Sequence, residues 1–276
     1  MNPHKTHETS LLAIGTSFWR NRQLIWQMAY REVLGRYRGS VIGLAWSFIN
    51  PLLMLAVYTF VFSVVFKARW GTNPNESRTQ FAVVLFAGMI VFNLFAEILN
   101  RAPGLVVANV NYVKKVVFPL EILPWVALGS ALFHSLVSLG VLILVQLILN
   151  HALPWTIILL PVVLLPLLLA SLGIGWFLAA LGVYVRDIGQ VTGVLTTVLM
   201  FFSAVFYPLS ALPEKYQRLL SLNPLVLIIS ESRQVLIYGL LPNWLALGFV
   251  FLIGLSMAIF GFWWFQKTRK GFADVL

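Results

Sequence analysis

The chain reads as an all-α integral membrane protein of six transmembrane helices, with both termini cytoplasmic. Three observations predict this. Of its 276 residues, 60% are hydrophobic and only 10% charged, whereas about a quarter of a soluble domain is charged. Several charge-free runs exceed the roughly 18 apolar residues that a helix needs to cross the bilayer core. With the N-terminus inside, thirteen of the 19 Lys and Arg fall in cytoplasmic segments and six outside, the bias that orients membrane proteins. The net charge of +10 then belongs to those segments and to anionic lipid head groups, not to nucleic acid. The absence of cysteine excludes disulfides and thiolate metal sites.

Residues 31–66 organise the rest: Arg31, Arg36 and Arg38 precede a charge-free run over 40–66. Arginines so placed stay on the cytoplasmic side and set the direction of the first span. Residues 1–40 are expected to form a cytoplasmic tail and an amphipathic interfacial helix. Residues 1–10 are polar and lead into no cleavage pattern, so they do not read as a signal peptide. Over 17–37, Trp19, Trp26, Tyr30 and Val33 share one face with Arg20, Gln27 and Arg31 opposite, a pattern suited to the head-group plane. A plain helix packed on a partner competes with that reading.

The spans are expected at about 41–66, 81–101, 121–149, 156–183, 190–207 and 243–266. Gly71 and Asn73-Pro74 mark 67–80 as an exposed loop. Residues 102–120, bounded by Pro103-Gly104 and Phe118-Pro119, have room for one short helix. The fourth span holds Pro161 and Pro166, tolerated where neighbours satisfy the freed carbonyls. Residues 208–241 hold two half-length apolar pieces around Asn223-Pro224, with Glu231 and Arg233 between them, which suggests re-entrant helices rather than spans. Residues 267–276 are a cytoplasmic tail. No internal repeat is evident, which argues against inverted-repeat secondary transporters.

Enzymatic chemistry finds little support. His4, His7, His134 and His151 offer no metal spacing, and the nine acids are scattered, whereas membrane-bound glycan-processing enzymes need clustered acids. No catalytic or metal-ligating residue is assigned. There is no GxxxxGK[ST] loop, so any ATP and magnesium would be bound by another chain. Polar stripes are more informative. Asn93, Glu97, Asn100 and Gly104 share a face of the second span, and Thr192, Thr196, Ser203 and Tyr207 a face of the fifth. Trp46, Asn50, Met54 and Tyr58 follow an i+4 ridge in the first. Such groups face protein or a wet path rather than lipid. They are substrate-pathway candidates, with interhelical glue as the alternative, and for Thr and Ser the leading one. For Glu97, pairing with Arg101 competes with a pathway role; for Trp46 and Tyr58, a place in the interfacial aromatic belt or in the core does. Residues 103–118 and the turn 184–189 are two candidate docking elements on the cytoplasmic side.

The order and spacing of several short motifs carry a resemblance across residues 20–266. These are Arg31-Glu32-Val33 with Arg36-Tyr37-Arg38-Gly39-Ser40, Gly43, Trp46 and Pro51, then Asn111-Tyr112-Val113-Lys114-Lys115 with Phe118-Pro119 and Ile122-Leu123-Pro124. Arg186-Asp187, Tyr207-Pro208, Leu212-Pro213, Asn223-Pro224-Leu225 and Arg233 follow. In this the chain resembles the ABC-2-type permeases that export O-antigen, capsule and teichoic-acid polysaccharides. The resemblance implies a homodimer in the bacterial inner membrane that binds two copies of a separate ABC ATPase. It implies export of an undecaprenyl-diphosphate-linked glycan. It also implies ATPase contact by the loop after the second span, with Asn111, Tyr112, Lys114 and Lys115, and by the turn at Arg186 and Asp187. Arg31, Arg36 and Arg38 sit where the anionic carrier head would enter, and a role in topology and lipid contact alone rivals that. The reading is therefore a non-enzymatic permease subunit of a polysaccharide exporter. An ABC-2-type exporter of another lipid or drug, a glycan-processing enzyme and a passive channel are the alternatives.

Overall fold

A computed structural model describes residues 11–66, 70, 78–114 and 118–276. The expected tail over 1–15 is described only from residue 11, where it is already helical, and residues 1–10, most of the 67–80 loop and Lys115 lie outside the described residues. Those described form helices and turns, with no strand among them. Among the described residues, five helices are long and apolar enough to cross a membrane, or six if a bent pair counts as one span.

Helix α1 (Leu11–Tyr37) packs through a stripe of mostly small residues, Ala13, Ser17, Ile25, Ala29 and Val33. Ile25 and Ala29 seat on Ile122 and Val126. The expected apolar face differs from this one. Trp19, Trp26 and Tyr30 are exposed, with only Val33 shared. Spacing alone identifies an apolar face but not what covers it. The small residues admit a neighbouring helix, and the bulky aromatics are left outside.

Gly39 and Gly43, with φ of 86° and 56°, turn the chain between α1 and α2 (Trp46–Tyr58). A side chain disfavours that left-handed backbone. A π-helical turn, Thr59–Val65, continues α2. Helix α3 (Arg78–Arg101) is the centre of the bundle: nearly all of its residues from Phe81 to Leu99 are buried, whereas most of those of α2 are exposed. A turn leads from α3 to the five-residue α4 (Val110–Lys114). The long helices α5 (Leu123–Asn150) and α6 (Leu160–Tyr184) follow.

Helix α6 runs parallel to α10 (Trp244–Thr268) along a glycine seam. A Cβ on Gly254 would strike the Pro166 carbonyl, and one on Gly261 the backbone of Gly173. Without a hydrophobic drive between helices in lipid, such close backbone approach supplies the packing.

The fifth apolar run departs from expectation. Helix α7 (Ile188–Phe202) has 15 residues, about 22 Å at 1.5 Å per residue, short of a bilayer core of about 30 Å. The chain leaves the helix at residue 203, and Ala204 takes a φ of 51°. The carbonyls of Ala204 and Val205 are drawn to Arg233. That distant partner overrides the local apolar pattern.

Helix α8 (Glu214–Ser221) and the stretch Pro224–Tyr238, which opens with α9 (Pro224–Arg233), meet at 95°. Asn223 caps the second piece by accepting from the Leu225 amide at 3.0 Å, with Pro224 at the first helical position. Its last turn, Gln234–Tyr238, is π-helical. The Val235 and Leu236 carbonyls accept from Thr156 Oγ1 at 2.7 Å and Gln146 Nε2 at 3.0 Å. Irregular backbone within an apolar bundle is thus satisfied by side chains.

Residues 267–276 fold back onto the bundle. A turn at Arg269–Gly271 leads into α11 (Phe272–Val275). Fully buried Phe272 packs against Phe265 and Tyr184.

Candidate functional site

A cavity of about 280 Å³ opens between α1, α2, α3 and α5. Ser47, Asn50, Met54 and Tyr58 line it from α2, Asn93 and Glu97 from α3, Arg36 and Tyr37 from α1, and His134, Ser135 and Ser138 from α5. The i+4 ridge of α2 and the polar stripe of α3 thus meet across one space. Phe86, Met89, Ile90 and Leu94 give it apolar walls.

Glu97 is the electrostatic centre. Its carboxylate pairs with Arg36, accepts from Arg101 Nη1 at 3.3 Å, and lies 3.2 Å from His134 Nδ1. Arg101 also pairs with Glu32. The α1 end of α3 is therefore stitched to α1 by two acid–arginine pairs and to α5 by the histidine. His134 Nδ1 is also 3.4 Å from Arg36 Nη1. The tautomer decides whether it donates to Glu97 or accepts from the guanidinium. Its Nε2 is buried without a partner among the described residues. Beside the cavity, burial raises the Tyr37 phenol above its ordinary range, a shift that Arg36 opposes.

Other residues singled out in the sequence lie elsewhere. Trp46 is half-buried at the start of α2, outside the cavity wall. Asn100 faces α7, where Thr196 Oγ1 donates to its Oδ1 at 2.9 Å. The buried Thr192 donates to the Gly189 carbonyl at 2.9 Å. Ser203 lies 3.4 Å from Asn223 Nδ2, and the Tyr207 hydroxyl donates to the Phe201 carbonyl at 2.6 Å. In this structure the α7 stripe is a helix seam and a turn support.

The three arginines do not converge. Arg31 donates to the Tyr112 hydroxyl at 3.3 Å, Arg36 is bound to Glu97, and Arg38 is exposed beyond the end of α1. Five residues on a helix turn a side chain by about 140°, so Arg31 and Arg36 meet different neighbours.

Helix α4 exposes Asn111 and Lys114 and stacks Tyr112 on Phe118 with ring centroids 4.4 Å apart. Arg186 and Asp187 are exposed in the turn before α7. A Cβ on Gly182 would strike the Pro103 carbonyl, so that turn sits close beside the turn after α3. The two stretches singled out as docking elements share one end of the bundle.

His134 is the residue that the sequence reading passed over. Metal spacing was the wrong criterion for it: an ionisable side chain inside an apolar run is itself a signal.

Over residues 23–237 the chain matches the model of the ABC-2 type transporter family. The chain belongs to that family. Among relatives of this ABC-2 type chain is the O-antigen export system permease protein RfbA of Myxococcus xanthus, 27% identical over 84% of this chain and 87% of the relative. The polysialic acid transport protein KpsM of Escherichia coli is 28% identical over 84% of this chain and 88% of its own. The capsule polysaccharide export inner-membrane protein CtrC of Neisseria meningitidis serogroup B is 28% identical over 76% and 79%. The ABC-2 match takes in the whole cavity and both exposed turns at the α1 end.

Proposed function

We propose that this chain is the permease subunit of an ATP-driven exporter that moves a lipid-linked polysaccharide of O-antigen type across the bacterial inner membrane. The observation that carries the reading is the cavity. Amides and hydroxyls of Asn50, Asn93, Ser47, Ser135, Ser138 and Tyr58 face an open space within a bundle of apolar helices. Polar groups so placed are expensive unless they meet water or a polar cargo. Sugar hydroxyls match amide and hydroxyl walls, while the apolar faces of sugar rings match aromatic side chains. Relatives named for O-antigen, polysialic acid and capsule export support the same cargo class.

In this reading two copies of the chain pair, and each takes an ABC ATPase subunit that binds ATP and magnesium. The ATPase docks on 102–120 and on the turn at Arg186 and Asp187. The carrier is undecaprenyl diphosphate. The α1 end is cytoplasmic, following the uneven placement of Lys and Arg.

The test is delivery of glycan across the membrane in cells lacking the native chain. Wild-type chain with its ATPase restores delivery. Asn50→Leu with Asn93→Leu makes the cavity walls apolar, so delivery falls while the complex still assembles. Normal delivery by that variant sinks the cargo assignment. Topology is tested separately on the cysteine-free background. An impermeant thiol reagent labels Tyr216→Cys in intact cells and leaves Asn111→Cys and Lys270→Cys unlabelled. Labelling at position 111 reverses the orientation.

A further inference from the structure

One turn at the α1 end ties several long helices together. It is Leu120–Ile122, between the proposed docking loop and α5. Glu121 within it is only 7% exposed. Its Oε2 lies 2.6 Å from Nη1 of Arg269, just beyond α10, and the second nitrogen of that guanidinium donates to the Phe118 carbonyl at 2.9 Å. Oε1 of Glu121 accepts from Ser17 Oγ of α1 at 3.4 Å, and its backbone carbonyl accepts from Trp176 Nε1 of α6 at 2.9 Å. The turn is therefore tied to α1, α6 and the end of α10, and it leads directly into α5.

We infer that Glu121 and Arg269 are positioning residues that pass movement of the docking loop to the membrane helices. Neither touches the cargo or the nucleotide. The inference rests on the reading that an ATPase docks on 102–120. The guanidinium holds the loop at two points, a carboxylate and a main-chain carbonyl, which fixes orientation as well as distance. A displacement of the loop cannot occur alone, because its partners lie on α1, on α6 and just beyond α10. Both side chains are largely buried, so an intermediate with one charge unpaired is disfavoured. The loop and the helix ends then move as a unit.

The experiment uses the full complex of permease and ATPase in vesicles, measuring glycan moved per ATP hydrolysed. Glu121→Gln and Arg269→Gln should each lower that yield about five- to ten-fold while ATPase association and hydrolysis persist. The double variant should fall no further than either single, because the two act as one contact. Arg269→Lys keeps the charge but not the two-point hold, and should fall between wild type and Arg269→Gln. It also serves where a Gln variant fails to accumulate. An unchanged yield in the three single variants, or equal loss of yield and association, overturns the inference. If the wild-type chain brings down no ATPase, the docking reading fails first, and that outcome is visible before any variant is compared.

Discussion

Arginine does opposite work at the two ends of this molecule. At the α1 end, Arg36 and Arg101 share Glu97, and Arg101 also holds Glu32. All four side chains are partly exposed, and His134 offers Glu97 a further partner. At the far end Arg233 is 5% exposed and has no carboxylate partner among the described residues. Its Nε donates to the Val84 carbonyl at 3.0 Å, and its two terminal nitrogens donate to Ala204 at 3.0 Å and Val205 at 2.7 Å. The Trp70 ring lies 4.2 Å from the guanidinium carbon, and Gly88 leaves the space that it fills.

The difference is one of exchangeability. A carboxylate between two guanidiniums and an imidazole can trade partners with little change in total pairing. A guanidinium caged by three fixed carbonyls cannot move without leaving buried acceptors unsatisfied. The first arrangement suits a seam that opens beside a cavity. The second suits an anchor joining α9, α3 and the break after α7.

The strongest way to break the comparison is at the anchor. Arg233→Met should destabilise by about 3 kcal/mol or more, since each stranded carbonyl costs about 1–3 kcal/mol. Gly88→Ala should destabilise in the same direction by ~2 kcal/mol through overpacking. In the Arg233→Met background Gly88→Ala should cost almost nothing, because its Cβ then meets no guanidinium. Thermal unfolding of the four proteins in detergent measures this. Additive losses would mean that Arg233 and Gly88 are not packed together.

At the seam the expected effects are smaller on stability and larger on transport. Glu97→Gln should lower stability by only about 1 kcal/mol, as partly exposed pairs do. Glycan delivery should fall about ten-fold, equivalent to roughly 1.4 kcal/mol at the barrier. A variant that loses stability as severely as Arg233→Met while transport per folded molecule is unchanged would make the seam a second anchor.

The smallest effects separate two of the basic residues before the first span, Arg36 and Arg38. Arg36→Lys should weaken delivery a few-fold, since lysine loses the planar fork facing Glu97. Arg38→Lys should leave delivery unchanged, because Arg38 lies outside α1 and its charge is retained. Equal losses at both positions would favour a shared anionic ligand over the Glu97 pairing.

Much of the fold was legible because it is local. Apolar runs and their lengths announce an all-helical membrane chain, and i+4 spacing aligns Asn50 with Met54 and Tyr58, and Asn93 with Glu97. The turn at Gly39 and Gly43 was not legible: the apolar run reads as a span from about residue 41, whereas positive φ at both glycines delays α2 to Trp46. The shortening of α7 was not legible, because the carbonyls of Ala204 and Val205 leave the helix for Arg233, 29 and 28 residues on. The fold-back of the C-terminal segment was likewise hidden, since Phe272 gains its pocket from Tyr184 and Phe265.

By itself, then, the sequence determined that the chain is helical, that several of its runs are apolar enough to cross a bilayer, and which polar residues share a face. Those properties depend on spacing of a few residues along one helix. Only the tertiary structure decided which faces meet. It paired the α2 and α3 stripes around a cavity and left the α7 stripe as a seam. It drew Arg36 across 61 residues to Glu97 and brought His134 to the same carboxylate. An ion pair or a cavity wall needs partners from separate helices, and helical periodicity holds no information about which helix arrives as the neighbour.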